Sequence, residues 1–326
     1  MAGGQERVLR RRIRSVQATK KITKAMELIA ASQIVRAQQR IAANRRYREG
    51  MARIVVAAAK GDPVAARKLL GTPESPQRVG ILAIVGDRGL SGAYNTSVFR
   101  ASERLAAELR GNGVEVSMYT VGKKAPAYFR FRGIPVAESF QGFLDKPSFG
   151  DAQAVARAVS APFLAGEIDQ LMMVSTHYVS AGTQTVRVSQ LLPLPDPQAA
   201  AEGDGGAEEG GQHRLEGYTE FEPDAARLLA ELAPQAVESE VFSALLEAAA
   251  SFFTAQQRAM AAATDNADEL IRTLSRIMNR ARQDSITTEI MEIVSGAEAL
   301  RSAGASGEDL HPDNLNDADL FGPPAA

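Results

Sequence analysis

The sequence predicts an α/β protein with added long helices: an antiparallel coiled coil of N- and C-terminal helices around a central Rossmann-like α/β domain. Three observations predict it. No proline occurs before Pro63, and none between Pro234 and Pro312. Apolar residues in both stretches recur at steps of three and four, the spacing of one helix face. Between them, short apolar runs alternate with amphipathic ones and are punctuated by glycine and proline.

The first Pro-free stretch covers about residues 5 to 58. Leu9, Ile13 and Val16, then Ile22, Met26 and Ile29, then Ile34, Ala37 and Ile41 form its apolar face. Proline inside a helix costs roughly 3 kcal/mol, so its absence permits a helix of this length. Residues 1–60 are therefore expected as an N-terminal coiled-coil helix.

Residues 77–222 carry the central domain. Val79 to Val85 reads as a buried strand ending at Gly86, and Val98 to Leu109 as an amphipathic helix closed by Gly111 and Gly113. Val114 to Val121 is the next strand, and Gly133 with Pro135 introduces another at Val136. Ala152 to Leu164 is helical, Leu171 to Thr176 is an apolar strand, and Thr185 to Leu192 is a further one. Strands alternating with helices imply a mostly parallel sheet of doubly wound type. At 196–216 the composition collapses to Ala, Gly and acidic residues, which bury too little apolar surface to order a loop.

The expected C-terminal coiled-coil helix spans 223–300. From Phe242 through Leu245, Ala249, Phe252, Gln256 and Met260, and on to Leu274, Ile277 and Ala281, the steps average close to the coiled-coil period, about 3.5. Ile286, Ile290 and Ile293 continue the set after a jump of five. At 1.5 Å per residue each long helix reaches on the order of 80 Å, beyond any small domain. Residues 301–326 read as an acidic tail without fixed structure.

Composition narrows the function. The chain of 326 residues is 45% apolar and contains no cysteine, which removes disulfides, thiolate metal sites and a cysteine nucleophile. No run of about 18 apolar residues spans a bilayer. The net charge of −2 conceals an asymmetry. Arg7 to Arg48 holds thirteen Lys or Arg against Glu27 alone, whereas beyond Ser302 stand Glu308, Asp309, Asp313, Asp317 and Asp319 with no Lys or Arg.

Sites of chemistry are few. Gly86-Asp87-Arg88-Gly89-Leu90-Ser91-Gly92 lacks the spacing of a phosphate loop or a dinucleotide fingerprint, and reads as a strand-to-helix turn capped by Asn95 or Thr96. His177, His213 and His311 are too scattered for a metal site or triad. Glu202, Asp204, Glu208 and Glu209 lack calcium-loop spacing. The basic N-terminal segment has three readings: nucleic acid, an acidic protein partner, or a solubilising face. The apolar seam within it and its single aromatic, Tyr47, favour the protein partner.

Arg12-Ile13-Arg14-Ser15-Val16, Thr19-Lys20-Lys21-Ile22-Thr23-Lys24-Ala25-Met26 and Ala30-Ala31-Ser32 closely resemble the gamma subunit of F-type ATP synthases. So do Asp87-Arg88-Gly89-Leu90-Ser91-Gly92 with Asn95-Thr96, Arg258 to Ala267, Arg280 to Ile290, and Glu292 to Ala297. The motifs occur in the family's order over residues 5 to 300. The resemblance implies a rotor subunit without cofactor or active site of its own. The implied role is to couple proton-driven rotation of the c-ring to ATP synthesis. Implied partners are the alpha and beta subunits, epsilon and the c-ring. Nucleic acid is not among them, and a basic coiled-coil nucleic-acid binder is the alternative. Membrane association is implied to be indirect, at the cytoplasmic face of the bacterial cell membrane.

By the same resemblance Arg282 and Gln283 contact the beta catch loops, and the Lys24 to Met26 segment and the helix tip after Glu292 form the bearing. Lys20, Lys21, Thr287 and Glu289 join the implied contact set. Asp87, Arg88, Gly89, Gly92 and Asn95 form the central signature. Thr288 stands where a longer polar residue is usual. Without cysteine, the thiol regulation of some relatives is excluded.

Overall fold

A parallel sheet can bury both faces only if helices cover each of them, and the chain supplies one pair of helices per face. The computed structural model describes residues 2–62, 75–194 and 224–305. In order these form α1 (Ala2–Gly61), β1 (Arg78–Ile84), α2 (Tyr94–Gly111), β2 (Glu115–Val121), α3 (Lys124–Phe131) and β3 (Val136–Phe140). After them come α4 (Phe149–Leu164), β4 (Gln170–Tyr178), β5 (Gln184–Leu192) and α5 (Ala225–Ala305). Helix α3 is an element the sequence pattern does not announce.

The sheet order is β3-β2-β1-β4-β5, parallel throughout except for the antiparallel β4–β5 hairpin. Alternation along β1 divides the core. Leu82 and Ile84 pack with Val155 and Val159 of α4 and with Val241 and Leu245 of α5. Ile81, Ala83 and Val85 pack with Val98 and Phe99 of α2 and with Ala125 and Phe129 of α3. At the amino ends of β1 and β4, Asp169 accepts from Arg78 Nη2 at 2.7 Å and from the Gln77 and Arg78 amides. The guanidinium contact holds the Asp169 carboxyl below its usual range. This clasp stabilises the fold above the ordinary carboxylate pKa and is lost as pH falls through the depressed native value.

The chain divides into two compact units, Ile22–Thr264 and the pair Met1–Lys21 with Asp265–Ala326. In the larger unit α1 and α5 run antiparallel. Met51, Val55 and Ala58 meet Leu229, Ile34 lies with Phe253, and Thr23 faces Thr264. In the smaller unit they are antiparallel again, with Lys20 Nζ 2.6 Å from Asp268.

The inward face of α1 agrees with the predicted one at Ile13, Ile34 and Ala37 and departs from it at Ile22 and Ile29. Ile13, Thr23, Ala30, Ile34, Ala37, Met51, Val55 and Ala58 are buried, whereas Ile22 and Ile29 are 60% exposed. The true seam steps by three and four without a break through polar positions such as Lys20, Thr23, Glu27 and Arg48. Polar residues sit there because each has a partner. Thr264 Oγ1 donates to the Met260 carbonyl, so the Thr23 hydroxyl donates to Thr264 across 2.8 Å. Arg48 lies 4.0 Å from Glu247, which also bonds His177 Nδ1 at 2.5 Å. On α5, Leu245, Ala249, Phe252, Gln256, Met260, Ala267 and Leu274 are buried as the period requires, but Leu270 is 40% exposed.

Pro234 lies inside α5 rather than before it. The helix tolerates the lost backbone bond because Leu229 on one side of it and Val237 on the other are buried. Helix α5 also continues to Ala305, five residues into the stretch expected as tail. The acidic loop 196–216, His213, His311 and residues 306–326 lie outside the described residues.

Gly122 has φ +102°, and a Cβ there would stand 2.0 Å from the Val85 carbonyl oxygen. Gly122→Ala is expected to destabilise the chain by more than about 3 kcal/mol, measured by urea unfolding. Thr23→Val or Thr264→Val alone should cost about 1 kcal/mol. The double variant should cost less than the sum, because it removes both partners of one bond.

Candidate functional site

The loop Gly86 to Ala93 leaves the carboxyl end of β1. Its side chains bond backbone amides of the neighbouring loops. Asp87 Oδ1 accepts from the Lys123 and Gly142 amides at 2.9 Å each, and Oδ2 accepts from the Leu144 amide at 3.0 Å. One carboxylate thus joins the loops that follow β1, β2 and β3. Arg88 extends the link with an ion pair to Asp145 at 2.8 Å.

Asn95 does not cap α2, as the sequence suggested. Ala93 is the N-cap, and no side chain caps it. Asn95 Oδ1 instead accepts from the Gly86 amide at 2.8 Å, and Nδ2 donates to the Arg88 carbonyl at 3.2 Å. That Gly86 amide would otherwise be left without a partner where β1 stops, so Asn95 is used on the loop. Gly92 takes the left-handed backbone region at φ +56°, and Leu90 does so at φ +63° with its side chain exposed. Gly89 lies near the Lys124 side chain. The signature residues therefore form one hydrogen-bonded loop.

The contact residues on the long helices are mostly solvent-facing. In the larger unit Lys24 pairs with Glu27 at 3.0 Å and leaves its side chain half exposed, while Met26 is partly buried. Ile22, Leu28, Ile29 and Val35 add exposed apolar surface to the same part of α1. Beside it, a cleft of about 510 Å³ is lined by Arg36, Arg88 and Lys146 with Asp145 as its acid. Arg40 lines it too and bonds the Pro147 carbonyl. This basic cleft draws on four separate segments, and no single stretch of sequence announces it.

In the smaller unit Lys21 is exposed and Lys20 is tied to Asp268. Arg282, Gln283, Thr287 and Glu289 are all exposed. Thr287 Oγ1 donates to the Gln283 carbonyl, and Ser285 Oγ donates to Glu289. Arg282 lies 14 residues along α5 from the partner of Lys20, about 21 Å, so the two do not form one site. With Lys20 opposite Asp268, Gln5 is level with about Gln283. From Ile286 to Ser302 every side chain is exposed. Ile286, Ile290 and Ile293 form an apolar stripe there, 45–71% exposed.

Among the described residues no helix is long and apolar enough to cross a membrane, and no cluster of His, Asp or Glu could hold a metal ion. His177, expected as an ordinary partly buried residue, is 28% exposed at its side chain and is bonded to Glu247.

A family profile described as ATP synthase matches residues 5–300. Proteins described as ATP synthase gamma chain are similar over nearly their whole length. That of Kineococcus radiotolerans is 46% identical, covering 93% of this chain and 99% of its own. That of Streptomyces coelicolor is 44% identical, covering 94% and 99%. A chain from the Euglena gracilis mitochondrial ATP synthase F1/c-ring structure shares the fold with TM-score 0.64 at 18% identity, covering 96% of this chain and 99% of that one. A chain from the Tetrahymena thermophila central stalk and c-ring structure does so at 0.55 and 24%, covering 74% and 99%.

Removing Asp87 strands three backbone amides. Asp87→Ala should lower unfolding stability by about 2–3 kcal/mol, read from the urea midpoint. Asp87→Asn, which keeps one accepting oxygen, should lose less.

Proposed function

The chain belongs to the ATP synthase gamma-chain family, and from that premise we propose how it works as the central-stalk subunit. It transmits rotation between a proton-driven c-ring and the alpha and beta subunits of the catalytic head. It does so mechanically, without a catalytic group or cofactor of its own. Epsilon and the c-ring contact the central α/β domain, and the chain is held peripherally at the cytoplasmic face of the membrane through the c-ring. The domain division follows the same roles: helices 1–60 and 223–300 form the shaft, and 77–222 forms the body.

One observation carries the reading. Helix α5 continues beyond the level of the first residues of α1 as a helix exposed at every side chain from Ile286 to Ser302. Among the described residues no side chain of α1 covers the stripe Ile286, Ile290 and Ile293, and an exposed apolar helix face marks a partner surface. A low-friction sleeve needs apolar walls and few fixed polar bonds, and this stripe presents them. The tip beyond Glu292 makes bearing contacts with the head, and so, separately, does the Lys24 to Met26 segment of α1.

Arg282 and Gln283 lie just before that stripe, exposed and therefore available to the catch loops of beta. Lys20, Lys21, Thr287 and Glu289 complete the contact set. The basic cleft formed with Arg36, Arg88 and Lys146 suits acidic loops of the head. Such rim charges steer docking and act over about one Debye length, so torque through them weakens with salt. A rotor must also present different faces to three catalytic sites in turn. Outward Ile22 and Ile29, facing away from the small-residue seam, support that asymmetry.

Tagged chain should co-purify alpha and beta subunits as a complex with ATPase activity; recovery of the chain alone would count against the assignment. In the assembled complex, Arg282→Ala with Gln283→Ala should speed release of the chain from the head by at least about tenfold. It should also reduce ATP-driven proton pumping. Unchanged pumping and release would remove those two residues from the contact.

A further inference from the structure

A helix pair that transmits rotation has to be fixed in angle against the body that it leaves. Apolar packing does this poorly, because it is non-directional. Hydrogen bonds do it better, since they weaken steeply once donor and acceptor swing out of line.

Within the larger unit, α5 packs closely on the body as far as Phe253. Val241, Leu245 and Ala248 join the core shared with α4, and Phe252 and Phe253 pack with Tyr94 and Ile34. Beyond them a cleft of about 410 Å³ opens between Ala255 and Ala259 of α5, the start of α2, and Gln184 and Val186 of β5. Arg258 spans this gap to the β4–β5 turn. Its Nη2 donates to the Ala181 and Gly182 carbonyls and to Gln184 Oε1 at 2.6, 3.2 and 2.8 Å. Further along α5, the bond between Thr264 and Thr23 runs to α1 rather than to the sheet.

The same hairpin holds the other helix. Tyr178 ends β4, and its hydroxyl accepts from Gln38 Nε2 of α1 at 2.6 Å. The turn between these two attachments is braced from within. Ser180 and Thr183 exchange backbone bonds at 3.0 and 3.2 Å, and Gln184 Nε2 donates to the Ser180 and Ala181 carbonyls at 2.6 and 3.2 Å. Gln184 thus stiffens the turn with one end of its amide and receives Arg258 with the other.

A deeper tie lies at Glu247, which bonds His177 of β4. Arg258 stands eleven residues farther along α5, about 16 Å on. One point of attachment lets a helix pivot; two that are spaced along its axis do not.

We propose that the β4–β5 turn is a rotational latch, and that Arg258 and Gln38 are positioning residues for coupling between rotation and catalysis. The latch rests on the central-stalk reading and adds to it the place where the helix pair is locked to the body. Both side chains are exposed, so replacing them leaves the packed core in place. Charge assistance makes the Arg258 bonds the stronger part.

The test is the number of protons pumped per ATP hydrolysed by the assembled complex in sealed vesicles. Arg258→Met with Gln38→Met should lower that ratio at least about twofold while ATPase rate and recovery of alpha and beta subunits stay at the wild-type level. Each single variant should lose less. Arg258→Lys should keep the wild-type ratio, because one nitrogen makes all three contacts and an ammonium group can replace it. A wild-type ratio in the double variant overturns the latch. So does a double variant that fails to assemble, or one whose ATPase falls in step with pumping, since either assigns the two residues to folding. If the wild-type chain recovers no alpha and beta subunits, the central-stalk reading falls first and the latch with it.

Discussion

The larger unit depends on one stretch of α5, from Leu229 to Phe253, that must satisfy two surfaces at once. Val241 and Leu245 close one face of the sheet, while Leu229 and Phe253 hold α1. A helix with one apolar stripe can serve one neighbour; serving two needs an apolar surface around most of its circumference. The sequence Ala244 to Phe253 has that character, with Leu245, Leu246, Ala248, Ala249, Ala250, Phe252 and Phe253 all buried. Small residues let the backbones approach, and the two phenylalanines fill what remains.

Phe252 links this packing to the signature loop. Its ring presses on Gly86, where a Cβ would stand 2.9 Å from the ring carbons, and it meets Tyr94 edge-on at a centroid distance of 5.6 Å. Aromatic pairs of this geometry contribute about 0.5–1.5 kcal/mol beyond their buried area. The loop is thus fixed from below by Asp87 and Asn95 and from the side by α5. A rigid junction at the carboxyl ends of the strands serves a subunit that transmits force, since slack there would absorb rotation.

The polar seam of α1 bears on the same function. Apolar seams are strong but slide easily in register, whereas a buried hydroxyl pair such as Thr23 and Thr264 is satisfied in only one alignment. Arg48, Glu247 and His177 tie α1, α5 and β4 together in the same way. Specific alignment is what a torque-bearing helix pair requires, and it frees Ile22 and Ile29 to face outward.

Apart from α3, the element types, their order and the two long helices were legible in the sequence because each follows from local rules: proline exclusion, helical or strand periodicity, and glycine at the ends. The mostly parallel sheet followed from the alternation of strands with helices, whereas which strands pair did not. The inward face of α1 was only partly legible: Ile13, Ile34 and Ala37 were read correctly, but the apolar residues Ile22 and Ile29 outcompete Thr23 and Glu27 in any reading that ranks by hydropathy. Only the partner helix reveals that Thr23 is satisfied, by Thr264. Asn95 looked like a cap for the same reason: its type fits the position, but the unpaired Gly86 amide that claims it is visible only once β1 has ended in space. The cleft lined by Arg36, Arg88 and Lys146 joins segments about fifty residues apart, so the tertiary structure alone decided it. Local chemistry determines which elements form, and long-range hydrogen-bond satisfaction decides which side chains face inward.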